Sequence, residues 1–490
     1  TIRERIIFLG YRKNRGKETD HQGKRRCKKT MDSKVQDNNK MATAPLGKLM
    51  TELAVPTVFA QLVNLLYNMV DRIYVGRIPE VGHLALAGLG VTFPVIILIS
   101  AFAALVGAGG APQAAICMGK KDMKGAERIL GNCITALCIL AVVLSVFFYA
   151  VKEPLLMLFG ASEQTIGYAN SYLGIYLLGT ISVQIALGLN TFINCQGFAR
   201  TGMKTVLIGA VLNIILDPIF IFGFHMGVQG AALATILSQT VSAVWVLSFL
   251  CGKKSILRVR KENLKIKKTV LVPVLALGAS PFIMQATECL VQLTYNSGMQ
   301  HYGNDYYVGA MTILFSIMQM LFLPLSGLTQ GAQPIISYNF GAGNHERVKK
   351  AFKLLFAAGV GFSLVGTGAV LLFPQVFIRL FSDNAQVIEI GIYAARIYLF
   401  GFLIMGAQMA CQQTFLALGQ AKISVFLALL RKVILLIPLA ILLPKLGMGT
   451  DGLFYAEPIA DLIAIATTVI LFARNFNRML YQHADTKVKK

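Results

Sequence analysis

What most constrains this chain is a series of apolar runs that recur from residue 50 to residue 474, each close to the roughly 20 residues a helix needs to cross a bilayer. Twelve such runs can be delimited, at 50–75, 86–117, 129–151, 165–194, 203–223, 229–251, 270–299, 307–338, 349–373, 387–416, 422–443 and 452–474. In lipid a helix satisfies its own backbone polar groups, so each run is expected to be one spanning helix. Composition supports this: 55% of the 490 residues are hydrophobic and only 14% are charged. The expected fold class is an all-α integral membrane protein with twelve transmembrane helices and no sizeable soluble domain.

The net charge of +23 would suit a nucleic-acid binder if it were gathered on one surface. Instead the basic residues fall in alternate loops. GKKDMKGAER follows the second run, KKSILRVRKENLKIKK follows the sixth, and Arg474, Arg478 and Lys487 lie beyond the last. The intervening loops, such as KEPLLMLFGASEQT, are neutral or acidic. The positive-inside rule then places both termini in the cytoplasm of a multi-pass plasma-membrane protein, with anionic lipid as a secondary partner and nucleic acid as none. Residues 1–45 are polar, basic and without helical periodicity, and are expected to be a disordered tail. The eight cysteines are dispersed, without a CxxC or Cys/His cluster, so neither a disulfide framework nor a zinc site is expected.

Internal repetition divides the chain. GGAPQAAICMGK near the second run is echoed by QGAQPIISYNFGAG near the eighth, and Gly109/Gly331, Pro112/Pro334 and Gly119/Gly341 are each 222 positions apart. The same offset pairs Gly197 with Gly419, Met226 with Met448, and Gly230 with Gly452. Two six-helix lobes are expected, at 46–251 and 270–474, joined by a cytoplasmic loop at 252–269 and followed by a tail at 475–490. Because six is even, both lobes enter the membrane in the same direction, so a pseudo-two-fold axis along the membrane normal relates them.

The offset also isolates polar residues private to one lobe. Asn190 maps to Gln412, Asn213 to Leu435, Asp217 to Leu439 and Thr235 to Glu457. Asn213 and Asp217 lie four apart in NIILDPIFIFG and share a helix face. A carboxylate at the centre of a span costs roughly 2.5–3.5 kcal/mol on insertion scales, so a private one calls for a function. Asp217 could instead cap a helix begun by Pro218, but the apolar residues before it place it deep in the same run. Pro218 removes a hydrogen bond to the Ile214 carbonyl and is expected to kink the helix. That oxygen, a carboxylate and two amide oxygens are suitable ligands for a small hard cation. In the first run Thr57, Gln61, Asn64, Asn68 and Asp71 are spaced 4, 3, 4 and 3, forming one polar stripe that must face inward. Arg72 beside Asp71 is a candidate to neutralise it. In the second lobe Glu288 suits a substrate cation, a second coupling route, or a carboxyl hydrogen-bonded within the bundle or left protonated; Gln412, with Asn64 and Asn68 of the first run, is likewise a candidate for substrate contact or secondary coupling. Glu457 is expected near the outer end of its span.

VDRIYVGR, GGAPQAAICMGK with its echo, NIILDPIFIFG and MGVQGAALATILSQ together resemble the multidrug and toxic compound extrusion (MATE) transporters, over essentially residues 45–475. The resemblance implies twelve helices in two lobes and export of organic cations driven by inward Na+ or H+. It implies a cation site at Asp71, Asn213, Asp217 and Thr235, with Asn190 nearby, and a bend of the first helix at Pro56. Some members carry an acidic residue in the tenth span, where this chain has Ala407, which favours coupling through the first lobe. The expected activity is antiport by a monomer without a cofactor, the coupling ion itself being transported. A flippase for lipid-linked or amphiphilic substrates is the alternative. It would need a cationic cleft, and Arg431 and Lys432 are expected near the cytoplasmic side of their span. A channel is a third class, and no catalytic motif points to an enzyme.

Overall fold

The computed structural model describes residues 40–488, with side chains described as far as Tyr481. The expected tail at 1–45 therefore lies almost wholly outside the described residues. From Leu46 onward the described residues form one compact unit.

The first lobe consists of α1 (Leu46–Gly76), α2 (Gly82–Gly119), α3 (Met123–Leu158), α4 (Ile166–Leu178 and Thr180–Cys195), α5 (Ala199–Pro218) and α6 (Gly227–Cys251). The second consists of α7 (Lys268–Tyr302), α8 (Asp305–Ala342), α9 (His345–Leu372), α10 (Ala385–Tyr398 and Met405–Ala417), α11 (from Ala421 to Met448) and α12 (Gly449–Val488). Among the described residues nine helices are long and apolar enough to cross a membrane, and eleven are when α4 and α10 are each taken as one bent span. One of those nine runs from Ala421 to Tyr481, and it reverses at Gly447 and Gly449, whose φ angles of 95° and 54° only glycine adopts readily. Its two limbs pack against each other as α11 and α12, completing twelve crossings. The last helix runs on to Val488, past the expected end of its span at 474.

The repeat is visible in the coordinates. Helix starts Met123 and His345, Ala199 and Ala421, and Gly227 and Gly449 are each 222 residues apart (345 − 123, 421 − 199, 449 − 227). The first lobe builds an apolar core around Ile99, Leu156, Leu173 and Val228. The second builds one around Tyr295, Leu314, Tyr398 and Phe454. Each core holds residues of its own lobe, which is why the duplicated bundles stay distinct.

The lobes meet where α2 and α8 carry small residues. A Cβ on Gly119 would overlap the Tyr338 carbonyl oxygen, and one on Gly341 would overlap the Ile116 carbonyl oxygen. Gly119/Gly341 and Ile116/Tyr338 are both repeat pairs, so this is one contact made twice about a local two-fold axis. It lies at the end of the bundle that bears Lys120, Lys121, Arg347 and Lys349. Thr57 of α1 strengthens the lobe junction by donating to the Gly327 carbonyl of α8 at 2.6 Å. Pro56 lies one residue before it, and α1 runs through that proline as a single helix.

Two spans expected as single helices are broken. The halves of α4 meet at 60° about Gly179, and those of α10 at 42° through a 3-10 turn at Phe400–Ile404. Gly179 and Gly401 are again repeat partners. A Cβ on Gly179 would overlap the Ile236 side chain, and one on Gly401 would stand 2.8 Å from the Asp461 Cβ. The break lets α4 and α10 lie directly against α6 and α12. The loop joining the lobes is ordered: Gln196 Oε1 accepts from the Ile256 and Leu257 amides at 2.7 and 2.9 Å, and Arg260 pairs with Glu127 at 2.7 Å.

Candidate cation site

The end of α5 places the private polar residues of the first lobe. Asp217 and Asn213 are 0% and 2% exposed. Pro218 is the last α-helical residue, and the chain continues as a π-helical turn at Ile219–Gly223, closed by the Phe224 amide donating to the Ile219 carbonyl at 2.9 Å. Asp217 thus sits at the C-terminal end of its helix, and the capping reading does not apply. Pro218 deforms the helix as expected, though by widening the turn after it.

Asn213 Nδ2 donates to Asp217 Oδ1 at 3.2 Å and to Thr235 Oγ1 of α6 at 3.4 Å. From α1, the Asp71 carboxyl group lies close enough to that of Asp217 for the two charges to act on each other. From α4, the buried Tyr172, stacked on Tyr176, lies beside Thr235 and Asp71. Tyr67, one turn before Asp71, lines the adjoining cavity with Asn213 and Thr235. Four helices therefore converge on one point, where two acidic groups face each other without a basic partner between them. Arg72 does not neutralise Asp71 in an ion pair; its guanidinium lies over the Phe93 ring, 4.9 Å from the centroid.

The hydrogen-bond inventory of this cluster is one-sided. Asp71 Oδ1, Asp217 Oδ2, Asn213 Oδ1 and Asn190 Oδ1 are buried and receive no donor from the protein. A buried unsatisfied polar atom costs on the order of 1–3 kcal/mol, and all four are acceptors. Such a set suits a proton shared between the carboxylates or a hard cation held by oxygen. Beside it is a cavity of about 40 Å³ lined by Asn64, Tyr67, Asn190, Asn213, Thr235 and Gln239, among others. That volume admits a few waters or a small ion, and is far below the roughly 300–1,000 Å³ of a drug-sized pocket.

The other candidates divide into two groups. Asn64 lines the cavity, and Asn190 lines it while donating to the Gly202 carbonyl at 3.3 Å. Asn68 is exposed and donates back to the Asn64 carbonyl at 2.7 Å, and Gln61 reaches Gln330 of the second lobe at 3.4 Å, so the polar stripe of α1 serves several purposes. Gln412 lies in the second lobe against Met284 Sδ at 3.2 Å and Ser280 Oγ at 3.5 Å. Glu288 is ion-paired with Lys432 at 2.6 Å. Tyr67 and Tyr172 escaped the sequence reading because a tyrosine in an apolar run reads as packing. Tyr67 nevertheless continues the α1 stripe, three residues after Asn64 and four before Asp71.

One expectation is overturned. Arg431 and Lys432 are 5% and 4% exposed, about ten residues or roughly 15 Å into α11, in a π-helical stretch at Leu430–Leu436. Glu457, placed by sequence near the outer end of its span, is 1% exposed and pairs with Arg431 at 3.2 Å. The two basic residues are interior groups matched by acids.

Comparison with known proteins agrees with this architecture. The MatE family model matches twice, at residues 56–219 and 281–442, once in each lobe. The chain is 25% identical over 438 residues to "Multidrug export protein MepA" of Staphylococcus haemolyticus (strain JCSC1435), covering 89% of this chain and 96% of that protein. It is 26% identical over 431 residues to the protein of the same name from Staphylococcus aureus (strain NCTC 8325 / PS 47), covering 88% and 94%. Its fold matches an outward-facing multidrug resistance MATE family transporter of the MOP superfamily with a TM-score of 0.83 at 22% identity, over 90% of this chain and 98% of that one. A MATE structure in the bent conformation gives 0.85 at 22% identity, over 91% and 99%. A doubled family match over most of both lobes establishes that this chain belongs to the MatE family.

Proposed function

We propose that the protein is a secondary antiporter that exports organic cations or drugs in exchange for inward Na+ or H+, by alternating access between its lobes. The observation that carries the reading is the oxygen cluster around Asp217, with four buried acceptors lacking donors gathered at one place in the first lobe. In this reading Asp71 and Asp217 bind the coupling ion, Asn213 and Thr235 complete the site, and Asn190 and Asn64 line the approach. With the ion absent, the two carboxylates repel each other across α1 and α5. Its arrival draws them together, which alters how α1 rests on α8 through Thr57. That change at the lobe junction is the route by which ion binding acts on the cleft that holds the exported compound. The relatives named multidrug export proteins support this substrate class.

The protein lies in the plasma membrane with both termini in the cytoplasm, as the basic loops direct. It works as a monomer and needs no cofactor, the ion being cargo. A flippase for lipid-linked or amphiphilic substrates would need free buried cations facing pyrophosphate. Arg431 and Lys432 are both engaged by carboxylates, which favours the antiporter.

The test is efflux of a fluorescent organic cation from vesicles in which a sodium gradient and a pH gradient are imposed separately. Acceleration by one of them and collapse on its dissipation are expected. Efflux indifferent to both would overturn the proposal.

A further inference from the structure

The offset that relates the lobes assigns every residue of the first-lobe cavity a counterpart. Gly209 and Ala210, two small residues of its α5 wall, correspond to Arg431 and Lys432 of α11. Thr235 and Gln239 of its α6 wall correspond to Glu457 and Asp461 of α12. Where the first lobe has space and polar oxygen, the second has two long cationic side chains and two carboxylates.

The contacts complete the correspondence. Arg431 donates from Nε to Asp461 Oδ1 at 2.7 Å and from Nη2 to Glu457 Oε1 at 3.2 Å. Glu457 and Asp461 are four apart on one face of α12, so one guanidinium fork spans both. Lys432 turns instead to α7 and donates to Glu288 Oε2 at 2.6 Å. Neighbouring residues reach different helices from the widened turn at Leu430–Leu436. Tyr398, the counterpart of Tyr176, which stacks on Tyr172, donates to the remaining Glu457 oxygen at 3.5 Å.

We propose that the second lobe contains a cation site on the same frame as the first-lobe pocket, permanently filled by the protein's own Arg431 and Lys432. The tethered guanidinium and ammonium take the places of mobile monovalent cations, and Arg431 serves two of the three carboxylates while Lys432 serves the third. The Lys432–Glu288 pair is the more accessible part, the Glu288 side chain being 26% exposed against 2% and 3% for Glu457 and Asp461.

The experiment restores the first-lobe residues at the equivalent positions, as Arg431→Gly and Lys432→Ala, each in an Asp217→Asn background that silences the first-lobe site. The full chain is extracted and purified with and without millimolar guanidinium, methylammonium or sodium chloride, and thermal unfolding in detergent is followed. The expected result is a lowered unfolding midpoint that rises saturably with guanidinium for Arg431→Gly and with methylammonium or Na+ for Lys432→Ala. The parent should show no such shift. Recovery of a variant only when its cation is present during extraction supports the proposal equally. Midpoints unmoved by substitution, or by every cation, overturn it, as does failure to recover both variants under all conditions. Because unfolding is read and not transport, the outcome is independent of which ion couples export.

Discussion

Replacing Asp217 by asparagine keeps the side-chain shape, removes one negative charge and adds an amide donor where Oδ2 now lacks a partner. The carboxylate is 0% exposed, so solvent screens it poorly. Unit charges about 4 Å apart attract by about 4 kcal/mol at an effective dielectric near 20 and by about 1 kcal/mol in water. Loss of that attraction should weaken coupling-ion affinity by about 5-fold at the watery limit and about 1,000-fold at the buried one. Fold stability should move the other way. The new amide points toward the Asp71 carboxylate, and a hydrogen bond to a charged group contributes about 1.5–3 kcal/mol, so the ion-free variant should unfold no earlier than the parent. Two measurements on one preparation decide the matter: the unfolding midpoint against NaCl concentration and pH in detergent, and gradient-driven efflux in vesicles. A variant that is stable, ion-insensitive and inactive is expected. Full efflux with unchanged ion dependence would refute the reasoning, because Asp217 would then be a structural group.

Arg431→Met alone leaves Glu457 and Asp461 buried without a base and should cost about 3–5 kcal/mol, whereas Arg431→Met/Glu457→Gln/Asp461→Asn should regain most of it; denaturation of both variants checks this. Gly341→Leu drives a side chain into the Ile116 carbonyl and should cut efflux at least about tenfold by holding the lobes apart, while Gly361→Leu, with open space at its Cβ, should leave efflux near normal. Tyr172→Phe removes the buried hydroxyl beside Thr235, and should change ion affinity by about 2- to 10-fold, read as a shifted ion concentration for half-maximal efflux.

Much of the architecture was legible because bilayer thickness sets a length that a sequence must display. The breaks in α4 and α10 were not, since Gly179 and Gly401 interrupt no apolar run; they become bends only against Ile236, Pro458 and Asp461 on neighbouring helices. The helical continuation to Val488 was hidden for a different reason: its polar residues end the apolar signal while leaving the helix intact. Asn213 and Asp217 stood out because leucines occupy their repeat positions. Their convergence with Asp71 and Tyr172 depends on how α1 and α4 pack, which no local pattern records. The depth of Arg431 and Lys432 was misread because a basic pair suggests a membrane edge. Subtracting 222 from those positions gives Gly209 and Ala210, so the contrast between the lobes was present in the sequence in both directions.

The two lobes resolve one electrostatic problem in opposite ways, and the difference bears on energetics. Carboxylates at mid-membrane must be neutralised, by an ion that can leave or by a base that cannot. With Arg431 and Lys432 fixed in the second lobe, the carboxylate pair without a tethered base is the pocket at Asp71 and Asp217, and the simplest exchange there is one ion per cycle. One Na+ or H+ entering against one monovalent organic cation leaving moves no net charge. Membrane potential, worth about 2.3 kcal/mol per charge at 100 mV, would then contribute nothing to that exchange, and only the chemical gradient would drive it. Against a neutral compound the same single ion would carry a full charge, and the potential would count. Clamping vesicles with potassium and valinomycin separates these cases. Export of a monovalent cation should be insensitive to the clamp, and export of a neutral substrate should respond to it. A potential-sensitive export of the monovalent cation would mean that a second ion crosses, held by the second carboxylate of this pocket or by the acids of the other lobe.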